Sequence, residues 1–179
     1  MALDLGIFYF FNAWASKTRI GDAVIVFCAA YLQYVLVGLF LLLLFVLPQA
    51  NKEKIRMFWV GTLSAVIARF GITELIRFFY HRPRPFVAHQ VHQLLLENEW
   101  SFPSGHSAFF FALSTAVYCY NKKWGIIFFV GSIFMNVSRI VAGVHYPSDI
   151  LGGIIIGVGT ACFVYYFDKN VGLKTILKI

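Results

Sequence analysis

DAVIVFCAAYLQYVLVGLFLLLLFVLP, residues 22–48, decides the fold. Its one charge, Asp22, stands at the first position, and a bilayer hydrocarbon core about 30 Å thick is crossed by roughly 20 mostly apolar residues. On the same ruler four more runs qualify, near 55–80, 104–120, 124–142 and 148–168. Ahead of them, residues 2–16 (ALDLGIFYFFNAWAS) are aromatic-rich and too short to cross comfortably, so a helix lying in the interface is expected, with a tilted sixth span as the alternative. The whole 179-residue composition agrees: 60% hydrophobic and 13% charged, against roughly 45–50% and about 25% for soluble domains. An ordinary soluble globule is excluded. With no internal repeat, low-complexity stretch or long linker, the expected fold is all-α, a polytopic transmembrane helical bundle formed by one domain over residues 1–179. No basic segment followed by an A-x-A site opens the chain, so the first long apolar run is expected to act as its own insertion signal. Cys28, Cys119 and Cys162 fall in apolar runs without CxxC spacing and read as buried packing residues.

The net charge of +7 suits nucleic acid, anionic headgroups or a phosphorylated substrate. In a membrane chain the last two lead, and no nucleic-acid partner is expected. Lys and Arg collect on the cytoplasmic side of short loops. If five spans alternate, Lys52, Lys54, Arg56, Lys122, Lys123, Lys169, Lys174 and Lys178 share one face, which should be cytoplasmic. The other face receives the N-terminal segment, the loop of about 81–103 with Glu97 and Glu99, and the turn at 143–147. Arg77, Arg82, Arg84 and Arg139 lie at span ends on that outward face. Span-end ionisable residues are costly and usually line a polar site.

Three motifs fall there. Arg77 and Arg84 are seven apart and aim two planar guanidinium forks at one place, a geometry that matches phosphate oxygens. Arg82 reads more simply as snorkelling to headgroups, and Arg69 and Glu74 as a pair with each other or a neighbour. Phe102-Pro103-Ser104-Gly105-His106-Ser107 opens the third span. Pro103 suits a first helical turn, the amides of Ser104, Gly105 and His106 then face an anion, and the Ser104 hydroxyl and His106 add a donor and a titratable group. A plain cap with a bystander histidine is the alternative. Ser138-Arg139 and His145-x3-Asp149 run from the fourth span into the fifth, where Asp149 can fix the tautomer of His145 and activate it; a bare helix-dipole role for Asp149 is the alternative. Together these residues describe a site for a phosphate dianion with a nucleophile and a proton donor.

The order Arg77-x6-Arg84-Pro85, Pro103-Ser104-Gly105-His106, Ser138-Arg139-x5-His145-x3-Asp149 resembles the tripartite signature of the type 2 phosphatidic acid phosphatase superfamily, which includes the vanadium haloperoxidases. The family usually has Lys where this chain has Arg77. The resemblance implies a metal-independent mechanism without a cofactor. His145 attacks phosphorus to form a phosphohistidine, Asp149 orients it, and His106 protonates the leaving group. Arg77, Arg84, Arg139, Ser104 and the Gly105 amide hold the phosphoryl oxygens.

Within the superfamily the short chain and the Arg82-Pro83-Arg84-Pro85-Phe86 string resemble small bacterial undecaprenyl-diphosphatases of the bacitracin-resistance type, although many of these have Asp at the position of Gly105. That implies an inner-membrane enzyme acting on a lipid diphosphate at the outer face. A lipid A 1-phosphatase, or a phosphatidylglycerophosphate or phosphatidate phosphatase, is the alternative, and a lipid-phosphate-binding or transporter-like protein the non-enzymatic one. The loop 86–102 is the expected selector, with Glu97 and Glu99 discouraging surplus anions. His89 and His92 lack a third partner, so no zinc site is expected.

Overall fold

The computed structural model describes residues 2–171, so Lys174 and Lys178 lie outside the described residues. The helices are α1 (Ala2–Asn12), α2 (Arg19–Val46), α3 (Asn51–Phe79), α4 (Gly105–Tyr120), α5 (Lys122–Val141) and α6 (Pro147–Val171), with one further turn at Pro85–Ala88. Their ends follow local chemistry. Thr18 caps α2 by accepting the Gly21 amide at 3.0 Å, and Pro48 follows its last turn. Asn121 closes α4 through its own amide to Val117 O (2.7 Å) and opens α5 by accepting the Trp124 amide at 3.2 Å. One residue thus reverses the chain. Pro147 begins α6, as its fixed φ and missing N–H favour. Pro103, expected in the first turn of α4, instead precedes the helix, and Ser104 is the cap, accepting the Ser107 amide at 3.3 Å.

By length and composition α2, α3, α5 and α6 can each cross a membrane. The remaining helix, α4, has 16 residues, about 24 Å of rise. It lies among α3, α5 and α6, and 11 of its residues are buried, so protein rather than lipid surrounds it. Helix α1, with 11 residues, rises about 16 Å and is too short to span. It docks across the ends of α5 and α6, with Phe8 against Tyr146 and Asn12 donating to Val141 O at 2.9 Å.

Small residues bring α4 and α6 together. A Cβ at Gly153 would lie 2.5 Å from Ser104 O, and one at Gly157 2.5 Å from Ala108 O, the close backbone approach that membrane helices use. Leu36, Phe40, Met57, Leu113, Phe128 and Met135 fill the core between α2, α3, α4 and α5, while Ser107 bonds Asn136 across α4 and α5 at 2.7 Å. Phe45, Phe78, Ile155 and Phe163 face outward, 71–82% exposed, as an apolar solvent requires. Cys28 and Cys119 are half-buried, but Cys162 is exposed on α6, contrary to its expected burial; an outward thiol carries no penalty where the surroundings are apolar. At the end bearing the Lys-rich turns, Arg56 pairs with Asp168 at 2.7 Å and Tyr120 donates to the same carboxylate at 3.2 Å.

Candidate active site

At the other end converge the C-termini of α3 and α5, the N-termini of α4 and α6, and the segment 80–104. The turn after α5 depends on Gly143, which has φ +81 and whose added Cβ would meet His92 O at 2.6 Å. A side chain there is strained and lacks space. The turn delivers His145 into the interior, 1% exposed. Its Nδ1 lies 3.3 Å from Asp149 Oδ2 and its Nε2 3.4 Å from an Arg84 nitrogen. Guanidinium nitrogens only donate, so the lone pair sits on Nε2 and the proton on Nδ1, facing the carboxylate. Burial, followed by the charges of Arg139, Arg84 and Arg77, holds the imidazole well below its usual pKa, which keeps it neutral.

Asp149 is fully buried and satisfied on both oxygens. Oδ2 accepts the Tyr146 amide (2.8 Å) and the Ser101 hydroxyl; Oδ1 accepts from Arg82 at 2.7 Å. Arg82 also pairs with Asp4 at 2.8 Å and lies 4.0 Å over the Tyr146 ring. It therefore does not snorkel: a carboxylate buried beside a neutral histidine needs a cation, and Arg82 supplies it. Ser101 and Arg82 were not selected from sequence. Their signal was the acceptor capacity of Asp149, which exceeds what one imidazole uses.

Arg77, Arg84 and Arg139 are each at most 4% exposed. Arg77 donates to Pro103 O at 3.1 Å, Arg84 to Glu99 O at 2.6 Å and Val144 O at 2.9 Å, and Arg139 to Ala29 O at 3.1 Å. Ala29 belongs to a π-helical segment of α2, Phe27–Tyr31, and such segments release carbonyls from the regular ladder. Among the described residues, the Nε of Arg77 and that of Arg139 are buried without an acceptor. The same cluster holds two carboxylates. Glu97 pairs with Arg139 and approaches Arg84 at 3.6 Å; Glu99 pairs with Arg77 and, at 2.9 Å, with Arg69. Arg69 also pairs with Glu74, as its position led one to expect. Burial lowers the Arg84 guanidinium to about 10, with Glu97 opposing and Arg139 and Arg77 adding to the fall. Burial alone raises Glu99, yet the Arg77 hydrogen bond and the Arg69 charge bring it below the usual carboxylate range. The glutamates were legible as acidic loop residues but not as occupants of the arginine cluster, although buried guanidinium groups demand counter-charges.

At the start of α4 the Ser104 amide donates to Asp149 O at 3.0 Å. This corrects the expectation that it faces an anion, because the close α4–α6 contact supplies an acceptor. Among the described residues the Gly105 and His106 amides have no such acceptor, and the partly buried His106 ring lines a cleft beside Arg69. His89 packs edge-on against Tyr9 and Tyr146, and the His92 amide donates to Asn12 at 2.9 Å. Histidine, aspartate, buried arginines and free helix-end amides can thus receive a phosphoryl group, supply a nucleophilic nitrogen and neutralise charge.

Residues 58–172 match the PAP2 superfamily. The chain belongs to that family. The three motifs that carry the resemblance, and the histidine, aspartate and arginine residues they supply, lie inside the matched region. The undecaprenyl-diphosphatase BcrC of Bacillus subtilis (strain 168) is 31% identical over 87% of this chain and 79% of its own length. A protein of Bacillus licheniformis, called bacitracin transport permease protein BcrC, is 28% identical over 92% and 80%. The crystal structure of Aquifex aeolicus LpxE superposes with a TM-score of 0.74 at 25% identity, covering 93% of this chain and 96% of that one. The PAP2 member is therefore a multi-pass helical protein of the kind its apolar runs predicted.

Proposed function

We propose that this PAP2 enzyme hydrolyses undecaprenyl diphosphate to undecaprenyl phosphate through a phosphohistidine, at the outer face of a bacterial inner membrane. The observation that carries the reading is His145 Nε2, its lone pair directed among buried arginines while Nδ1 is backed by Asp149. A neutral, oriented imidazole is a competent nucleophile. In the first step the Nε2–P bond forms and the bridging P–O bond breaks, the departing lipid phosphate taking its proton from His106. In the second, water gives a proton to His106 and its oxygen attacks phosphorus, releasing orthophosphate and neutral His145. Arg77, Arg84 and Arg139, with the Ser104 hydroxyl and the Gly105 amide, hold the equatorial oxygens. The substrate comes from the name of the Bacillus subtilis relative, the orientation from the Lys-bearing turns on the opposite face. Such a site at span ends lets a lipid present its headgroup without leaving the bilayer.

Similarity to the lipid A 1-phosphatase of Rhizobium etli, 35% identical over 32% of the chain, favours lipid A as the second reading. A non-enzymatic binder has use for the arginines but none for a buried His145–Asp149 pair. The test is phosphate release by detergent-purified protein in excess EDTA from undecaprenyl diphosphate, lipid A, phosphatidylglycerophosphate and phosphatidate. Fastest release from the diphosphate is expected, together with loss of turnover but retained binding in His145→Ala. Preference for another lipid overturns the substrate, and turnover by His145→Ala overturns the nucleophile.

A further inference from the structure

Arg69 belongs to none of the three motifs, yet it stands where the arginine cluster meets a cleft of about 220 Å³. Tyr34, Val37, Phe70, Phe109 and Phe110 give the cleft apolar walls, and Arg69, His106 and Gln33 supply its polar part. Arg69 lies directly across Gly105: an added Cβ there would collide with its Nε and Cδ and lie 2.9 Å from its Cζ. The absence of a side chain at 105 is what admits the guanidinium to the helix end.

Two loop carboxylates mark two anion positions. Glu97 lies between Arg84 and Arg139, the first of which touches His145. Glu99 lies between Arg77 and Arg69, its two oxygens 2.9 and 3.1 Å from one Arg69 nitrogen. A carboxylate bridging two guanidinium groups occupies a place that phosphate oxygens fit equally well. The first position adjoins the nucleophile. The second adjoins Gly105 and the cleft lined by His106, the proton donor to the leaving group.

We propose that Arg69, lying across Gly105 beside His106, is a specificity residue that binds the second phosphate of a lipid diphosphate, the one that departs with the lipid, while the apolar cleft takes the start of its chain. This rests on the roles given above to His145 and His106. When the His145–P bond forms and the bridging P–O bond breaks, the electron pair leaves on the bridging oxygen, which His106 protonates. The departing lipid monophosphate still carries negative charge, and Arg69 opposes it. A monophosphate ester departs as a neutral alcohol, so Arg69 has no anion to hold and contributes only with diphosphates.

The experiment compares farnesyl diphosphate and farnesyl phosphate, which have the same tail, with wild type, Arg69→Gln and Arg69→Lys in detergent. Arg69→Gln is expected to lower kcat/KM for the diphosphate roughly 10- to 100-fold more than for the monophosphate. With orthophosphate present to fill the position beside His145, farnesyl phosphate, the product, should inhibit diphosphate hydrolysis more weakly by a similar factor, a readout that holds even where the monophosphate is not turned over. Arg69→Lys should recover part of both losses, since it keeps charge without the planar fork. Equal losses on the two substrates, or unchanged product inhibition, overturn the proposal while leaving the lipid phosphatase reading intact. Hydrolysis of neither by wild type overturns that reading and this one with it. If Arg69→Gln fails to fold, Arg69→Lys decides: a few-fold selective loss is expected, and an unchanged ratio of the two substrates refutes the role.

Discussion

Enclosure is what makes His145 useful. Burial and three cations keep its imidazole neutral well below its ordinary pKa, and in the proposed mechanism the neutral form is the nucleophile. The sign follows: protonation inactivates it, and because its pKa is depressed the acid limb of kcat/KM should fall below pH 6.5. Above that limb the rate should decline only at strongly alkaline pH, as Arg84, lowered to about 10, loses the charge proposed to hold phosphate. An acid limb above pH 6.5 with chemistry rate-limiting contradicts a neutral His145 nucleophile. Arg82→Gln separates orientation from binding. It removes a cation from Asp149, so kcat should drop about tenfold or more with KM little changed. The acid limb should also move to higher pH, because a less neutralised carboxylate favours the imidazolium. A change confined to thermal stability would make Arg82 structural alone. Asp149 was legible from its spacing to His145; Arg82 was not, since a span-end arginine near a membrane reads as a headgroup contact until its partners are seen.

Helix α4 gives the site its geometry, and its own position depends on backbone contact with α6. Gly153 and Gly157 bring Ser104 within reach of Asp149 O, which takes the Ser104 amide. Gly157→Leu has no free volume and should cost about 1–3 kcal/mol, seen as a lower Tm in detergent together with reduced turnover. Normal Tm and activity would mean that the helices are not held this closely. The apolar runs fixed where α2, α3, α5 and α6 lie, because each must satisfy a hydrocarbon solvent. The 16 residues of α4 tell less by themselves, since a helix enclosed by protein need not span the bilayer. The π segments at Phe27–Tyr31 and Ile67–Thr73 had no signature in the apolar pattern, yet one gives Arg139 a carbonyl and the other carries Arg69.

At the scale of the molecule, the loop 80–104 closes over the bundle end and places its own carboxylates on the arginines proposed to hold phosphate. In that reading substrate displaces them. Glu97→Gln removes one competing charge while keeping shape, so orthophosphate should inhibit at a several-fold lower concentration. Unchanged or weaker inhibition would mean that Glu97 supports the cluster rather than competes within it. Helix α1 joins the same network through Asp4, which accepts from Ser148 at 2.6 and 2.9 Å and pairs with Arg82, linking a helix too short to span with the carboxylate behind His145.

The sequence by itself determined the solvent, the helical class, the end of the bundle where the three motifs gather, and the residues from Arg77 to Asp149 that bear the family signature. These follow from hydropathy, loop charge and motif spacing, which are local properties. Only the tertiary structure decided how the charges are shared: that Arg82 serves Asp149, that Glu97 and Glu99 lie among the arginines, that Ser104 gives its amide to α6, and that Arg69 crosses Gly105. The reason is physical. A buried charge must find partners wherever the packed helices bring them, and separations of 30 residues for Arg69 and Glu99, or 67 for Arg82 and Asp149, are closed by packing rather than by spacing along the chain.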